Sequence, residues 1–334
     1  MMQLKTLRGD FAATVKFKAL AAAMLTIVGL SIGSPAMAQG KPLRIIVPFA
    51  SGGGQDILTR AFSNELGAAL GQPIIIDYRP GGGGGVGTSY VAKSEPDGTT
   101  LIMAAASHII SAVLSPRPSY HPIKDFAAVA HVGTGSQVLI INSELPARSV
   151  QEFVRHAKAN PGKFNYGTAG SGSSTHLAMA YFLNAAGIDL AHIPYKSNAA
   201  QSQELIAGRI QAIMIPSISA VALARDSRVR LLAVSPDTRS SFFPDLPTVA
   251  ESGYPGFNYL SWFGLLAPAG MARSQIERIN TEVTRLLVNP TIIDRMTKIG
   301  IEPQALSVPQ FEKVLREDLE RVERIVKLSG AKSE

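Results

Sequence analysis

The chain has 334 residues, no cysteine and a formal net charge of +7. With 46% hydrophobic and 17% charged residues it is too apolar for a disordered chain, and without a thiol it forms no disulfide and no cysteine-based centre. Its basic residues are scattered rather than gathered in runs, which argues against nucleic acid as a partner.

The first segment reads as a targeting signal. Lys5, Arg8, Lys16 and Lys18 make a basic leader, residues 19–32 are apolar, and Ala36-Met37-Ala38 is a small-x-small cleavage site. The apolar run is shorter than the roughly 20 residues that span a bilayer as a helix, so a secretory signal cleaved after Ala38 is expected. The leader holds four basic residues and one acid, Asp10, so removing residues 1–38 lowers the net charge from +7 to +4. What remains is long enough for two domains with two cores.

The β-branched run 43–47 predicts a buried strand of a parallel sheet. It runs into Pro48-Phe49-Ala50-Ser51-Gly52-Gly53-Gly54, and beyond the glycines Ile57, Leu58, Ala61, Phe62, Leu66 and Leu70 recur at helical spacing. A strand, glycine turn and helix in this order aim free N–H groups and a positive helix end at the space above the sheet, where a carboxylate or phosphate can settle. The plainer reading is a tight βα turn with Asp56 as the helix N-cap.

A second strand is expected at 74–76, followed by Gly81 to Gly85 and a helix over 86–93. Gly82, Gly84 and Gly87 match GxGxxG, but Arg79-Pro80 separate them from the strand, and the next strand, 101–103, offers no acid for a ribose. A flexible rim loop is expected instead of a dinucleotide site. The strand at 101–103 ends in Ala104-Ala105-Ala106-Ser107-His108, small residues that leave room for a ligand in the crevice above a sheet. Pro116, Pro118 and Pro122 break the chain before a strand at 126–132.

A strand follows at 138–141, and Ser149 with Glu152 forms a capping box opening a helix. The opening pattern then recurs: strand 163–166, the loop Gly167-Thr168-Ala169-Gly170-Ser171-Gly172-Ser173-Ser174-Thr175-His176, and a helix carrying Leu177, Met179, Phe182 and Leu183. Dense in hydroxyls and at a helix entrance, this loop is a second candidate anion site. Strands at 192–195, 210–215, 229–234 and 258–267 follow, the last with the sole tryptophan, Trp262, and then two terminal helices. Repeated strand–helix alternation gives an α/β fold with a parallel or mixed sheet. Two donor-rich loops suggest two lobes around a cleft: 39–136 with 256–334, and 137–255. The terminal helices are expected on the first lobe.

Several motifs resemble one family. Val47-Pro48-Phe49 with its Gly-Gly-x-x-Asp, Arg79-Pro80-Gly81, Glu95-Pro96-Asp97-Gly98 and His192-Ile193-Pro194-Tyr195-Lys196 are among them. So are Leu246-Pro247-Thr248-Val249 and Trp262-Phe263-Gly264-Leu265. Together they are similar to the periplasmic solute-binding receptors of tripartite tricarboxylate transporters, the Bug receptors. The resemblance implies a two-lobed type II periplasmic-binding-protein fold with the ligand cleft between lobes. It also implies location in the periplasm, a monomer, and delivery of an organic acid to a large and a small transmembrane subunit. Position by position, Phe49, Ala50, Ser51, Gly52 and Gly53 would hold one end of the ligand, partly through water. Thr168, Ala169, Gly170, Ser171, Ser173 and Ser174, with His176 at the helix entrance, would hold a carboxylate from the other lobe. Ser107 stands where the family usually has Thr, and Ile215-Pro216 where many members have Asp or Asn. The missing acid disfavours an amino-acid ligand and leaves room for an apolar or ring-bearing body, terephthalate among the candidates. Ser51 replaces a family proline.

The competing class is a secreted hydrolase using Ser173 or Ser174 with His176. No GxSxG elbow exists and no acid lies near to orient the imidazole. The six histidines show no metal-ligand spacing, and no cofactor is expected.

Overall fold

The computed structural model describes residues 41–329; the leader and its cleavage site lie outside them. Ten strands in this span form one mixed sheet ordered β2-β1-β3-β9-β4-β7-β5-β6, with β8 and β10 also paired to β4. In chain order the strands are β1 Leu43–Val47, β2 Ile74–Tyr78, β3 Thr100–Ala105, β4 Phe126–Asn142, β5 Asn165–Thr168, β6 Ala191–Pro194, β7 Ala212–Pro216, β8 Val229–Val234, β9 Leu260–Pro268 and β10 Glu302–Pro303. The helices are α1 Gly54–Leu70, α2 Gly85–Ala92, α3 Ser107–Leu114, α4 Val150–Ala159, α5 Ser174–Ala186, α6 Asn198–Ile206, α7 Ser217–Leu223, α8 Arg273–Leu287, α9 Pro290–Lys298 and α10 Val308–Ser329.

The sheet has two halves built on the same plan. In the first, β1 pairs in parallel with β2 and β3; in the second, β5 pairs in parallel with β6 and β7. The strands expected separately at 126–132 and 138–141 are one strand. The first part of β4 pairs antiparallel with β9, and its second part pairs with β7 and β8. Register shifts between Ala128 and Ala130 and between His131 and Gly133 mark irregularities along it, and such bulges bend and twist a strand. One chain segment thus belongs to both halves.

β1 has the two-sided burial expected of a central parallel strand. Leu43, Ile45 and Val47 pack with Leu58, Phe62 and Leu66 of α1, while Ile46 points to the opposite face. On the α1 face, Ile279 and Val283 of α8 and Met296 of α9 complete a core. The opposite face carries a core common to both halves, joining Ile102 and Leu266 to Leu139, Phe182 of α5 and Phe311 of α10. A third core fills the second half between Ile213, Ile215, Leu205 and Leu223.

Three elements differ from expectation. α9, capped by the Asn289 side chain with Pro290 in its first turn, was not foreseen. α10 packs against α3 and α5 rather than on the first half alone. The run Gly81–Gly84 forms a tight turn in which all four glycines have positive φ, a conformation that side chains resist. The capping box at Ser149 forms: its hydroxyl accepts from Glu152 N–H, and Glu152 accepts from the N–H of Arg148.

Candidate ligand-binding site

The glycine turn after β1 and the hydroxyl-rich loop after β5 meet at one cavity. Its wall comprises Phe49, Gly53, Gly54 and Gln55; Ala105 and Ser107; Ala169, Ser173 and Ser174; Asn198 and Pro216; and Ser261 with Phe263. No lining side chain is charged. The cavity measures about 30 Å³, enough for a water or two and smaller than a four-carbon diacid, so such a ligand enters only if the halves part.

Helix entrances supply the electrostatics. α1, α3, α5 and α6 begin at Gly54, Ser107, Ser174 and Asn198, and all four of these first residues line the cavity. Each first turn leaves N–H groups without an intrahelical partner and carries about half a positive elementary charge. Together the four entrances offset roughly two negative charges without a basic side chain.

On the first half, Asp56 braces the glycine turn from inside. Gly52 N–H (2.8 Å) and the Ser51 hydroxyl (3.1 Å) donate to Oδ2, while Arg60 Nε and the Tyr78 hydroxyl, both at 2.8 Å, donate to Oδ1. Burial pushes the Asp56 carboxyl up, but these hydrogen bonds together outweigh it and hold the group below its ordinary range. Asp56 is therefore not the N-cap. That position is Gly53, without a side-chain bond, and Asp56 reaches back from the first turn. Gln55 is anchored by donating to Met103 O at 3.2 Å.

On the second half the loop is laced to itself. The Ala169 and Gly170 N–H groups donate to Thr175 Oγ1 and Thr168 Oγ1, and Gly172 N–H donates to His176 Nδ1 at 3.3 Å. Ser173 caps α5 by accepting from His176 N–H. The His176 ring stacks on His192 at 4.3 Å, and burial first, then His192, lowers its pKa to about 4. His176 is thus a neutral brace rather than a base facing Ser173, whose hydroxyl meets Thr175 Oγ1 at 2.9 Å. Among the lining hydroxyls, those of Ser107 and Ser174, one from each half, make no hydrogen bond within the described residues. Ser261 accepts from Gln137 Nε2 at 2.9 Å, which frees its own proton to donate.

Of the residues expected from sequence, Phe49, Gly53, Ser107, Ala169, Ser173, Ser174 and Pro216 line this cavity, and Gly170 and Ser171 line the groove beside it. Ala50, Ser51, Gly52, Thr168 and His176 line neither; the last four hold the loops in shape. Ile215 lies in the third core, so the position that faces the cavity is 216. Gln55, Asn198, Ser261 and Phe263 were not foreseen. Asn198 follows Ser197, whose hydroxyl caps α6, a legible helix start; Ser261 and Phe263 carry no local signal because β9 arrives from far along the chain.

A family model described as the tripartite tricarboxylate transporter family receptor matches residues 58–331. The chain belongs to this family. Protein BugT of Bordetella pertussis is 30% identical over 319 residues, covering 92% of this chain and 98% of its own. Among solved structures, that of Rpa4515 from R. palustris with adipate is 29% identical with a TM-score of 0.85, covering 88% of this chain and 99% of that one. MatC from Rhodopseudomonas palustris with bound malate is 28% identical with a TM-score of 0.82, covering 86% and 99%. The fold is accordingly the two-lobed one of periplasmic binding proteins. Tripartite tricarboxylate receptors bind small carboxylates and work with tripartite transporters; they are receptors, not enzymes, and the hydrolase reading falls with that membership.

Proposed function

We propose that the chain is exported, cleaved after Ala38, and works as a monomeric receptor that captures a small di- or tricarboxylate between its lobes. It then hands the ligand to the large and small membrane subunits of a tripartite tricarboxylate transporter. The first lobe comprises 39–136 and 256–334, the second 137–255. The observation that carries this reading is the convergence of four helix entrances, two from each lobe, on one uncharged cavity. Neutral N–H and hydroxyl donors make charge-assisted bonds to carboxylate oxygens that are stronger than neutral ones. Four half-charges match a dianion better than a neutral solute or a cation. An ammonium would find no carboxylate on the wall, which disfavours amino acids. The adipate and malate held by the two R. palustris relatives belong to the same chemical class.

A ligand that touches both lobes favours the closed state by its differential contacts there, and membrane subunits can read that state. A melting screen over malate, citrate, adipate and terephthalate tests the reading. Binding at a hundredfold excess over Kd stabilises by about 2.7 kcal/mol, so at least one acid is expected to raise Tm by several degrees. A flat response to all four carboxylates would refute the proposal.

A further inference from the structure

Beside the cavity lies a groove of about 660 Å³ that also touches both lobes. It is lined by Gly82, Gly83 and Gly85 of the glycine turn and by Gly170–Gly172 of the opposite loop, together with Ser111, Ser119 and Tyr120. Its one charged lining residue is Arg117, and no carboxylate lines it. Arg117 is exposed and makes no ion pair among the described residues. Pro116 and Pro118 flank it and restrict the backbone on either side.

The two spaces are neighbours along α3. Ser107 lines the cavity and Ser111 the groove, one helical turn apart on the same face. What separates them is backbone. A Cβ on Gly83 would stand 2.4 Å from Ser171 O and 2.8 Å from Ser173 N, so the glycine turn abuts the opposite loop with no side chain between them. Gly84 in turn lies under the ring of Phe49, which lines the cavity. A partition made of glycine and main chain has no side chain to withdraw.

We infer that a small separation of the two loops joins the groove to the cavity, and that the groove is the outer compartment of the ligand site, which receives the far carboxylate of an elongated diacid and pairs it with Arg117. The near carboxylate lies at the helix entrances, and the hydrocarbon body passes between the glycine turn and the Ser171–Ser173 loop. A guanidinium flanked by hydroxyls and facing no competing acid is suited to bidentate pairing with a carboxylate. Short diacids end before the partition and leave Arg117 untouched.

This rests on the receptor reading, and the test separates the two. Titration calorimetry of the full mature chain and its Arg117→Ala and Arg117→Lys variants would use succinate, suberate and octanoate. Arg117 is exposed, so both variants are expected to fold. The expected result is a roughly tenfold loss of suberate affinity in Arg117→Ala, partial recovery in Arg117→Lys, and succinate and octanoate changed by less than twofold. Suberate binding that ignores the substitution, equal losses for all three acids, or a chain that binds succinate but not suberate would overturn the outer compartment while leaving the receptor standing. Failure of these three acids and of the whole carboxylate panel would instead remove the receptor reading.

Discussion

Ser107 and Ser174 are the residues on which the proposed recognition turns. One hydroxyl comes from each half of the sheet, both open on the cavity, and neither makes a hydrogen bond within the described residues. Their neighbours are not free: Ser51 is tied to Asp56, Ser173 caps α5, and Thr168 and Thr175 hold main-chain N–H groups. A hydrogen bond to a charged group contributes about 1.5–3 kcal/mol, and about 1.4 kcal/mol is a factor of ten. Ser107→Ala and Ser174→Ala are therefore each expected to weaken binding of the best acid from the melting screen about tenfold or more by calorimetry, with Tm of the free protein unchanged. Affinities within twofold of the parent in both variants would contradict this assignment. Both serines stand out in the sequence, yet neighbours whose hydroxyls are spent locally carry the same signal. Hydroxyl density marks a loop; which hydroxyls remain unspent depends on hydrogen bonds that only the folded loop reveals.

Among the elements, the loop from β5 to α5 depends on a neutral histidine. Gly172 N–H needs the His176 Nδ1 lone pair, and His192 stacks against the same ring. Burial, then His192, lowers the His176 pKa from 6.5 to about 4; burial likewise lowers that of His108, which contacts Pro122 O through Nε2, to about 4. Between those values the unfolded chain binds protons that the folded chain refuses. Stability is therefore fully present above about 6.5, falls as pH drops toward 4, and becomes insensitive to these groups below that. Urea unfolding between pH 7.5 and 4 is expected to show this decline, with a shallower slope in His176→Gln, which has one fewer such proton to take up. Identical slopes in the two proteins would exclude His176 as a contributor. Most elements were legible because burial and turn chemistry agree locally: the apolar run of β1, the capping box at Ser149, the glycine turn before α1. The long β4 was not, because Gly133 and Gly135 look like breaks in sequence. In the fold they allow close approach: a Cβ at Gly133 would stand 2.5 Å from Glu302 O of β10.

At the scale of the whole molecule, the two halves of the sheet are joined by β4, the strand common to both. β4 pairs with β9 of the first half and with β7 of the second in turn. β9 is the return connection, and its Ser261 lines the cavity. The only tryptophan sits on β9, donating through Nε1 to Asp318 of α10 at 2.6 Å. The repeated strand–turn–helix plan and its family resemblance could be read from the chain. The meeting of four helix entrances could not, since two of them, at Ser107 and Asn198, lack the glycine-rich signature that betrays the others. The central claim is that one acidic guest is held jointly by both lobes at these entrances. A crystal structure of the protein with the acid that gives the largest melting shift tests it most directly. The account predicts carboxylate oxygens within about 3.2 Å of Ser107 on one side and Ser174 on the other, while a guest touching a single lobe, or lying outside the cavity, would contradict it.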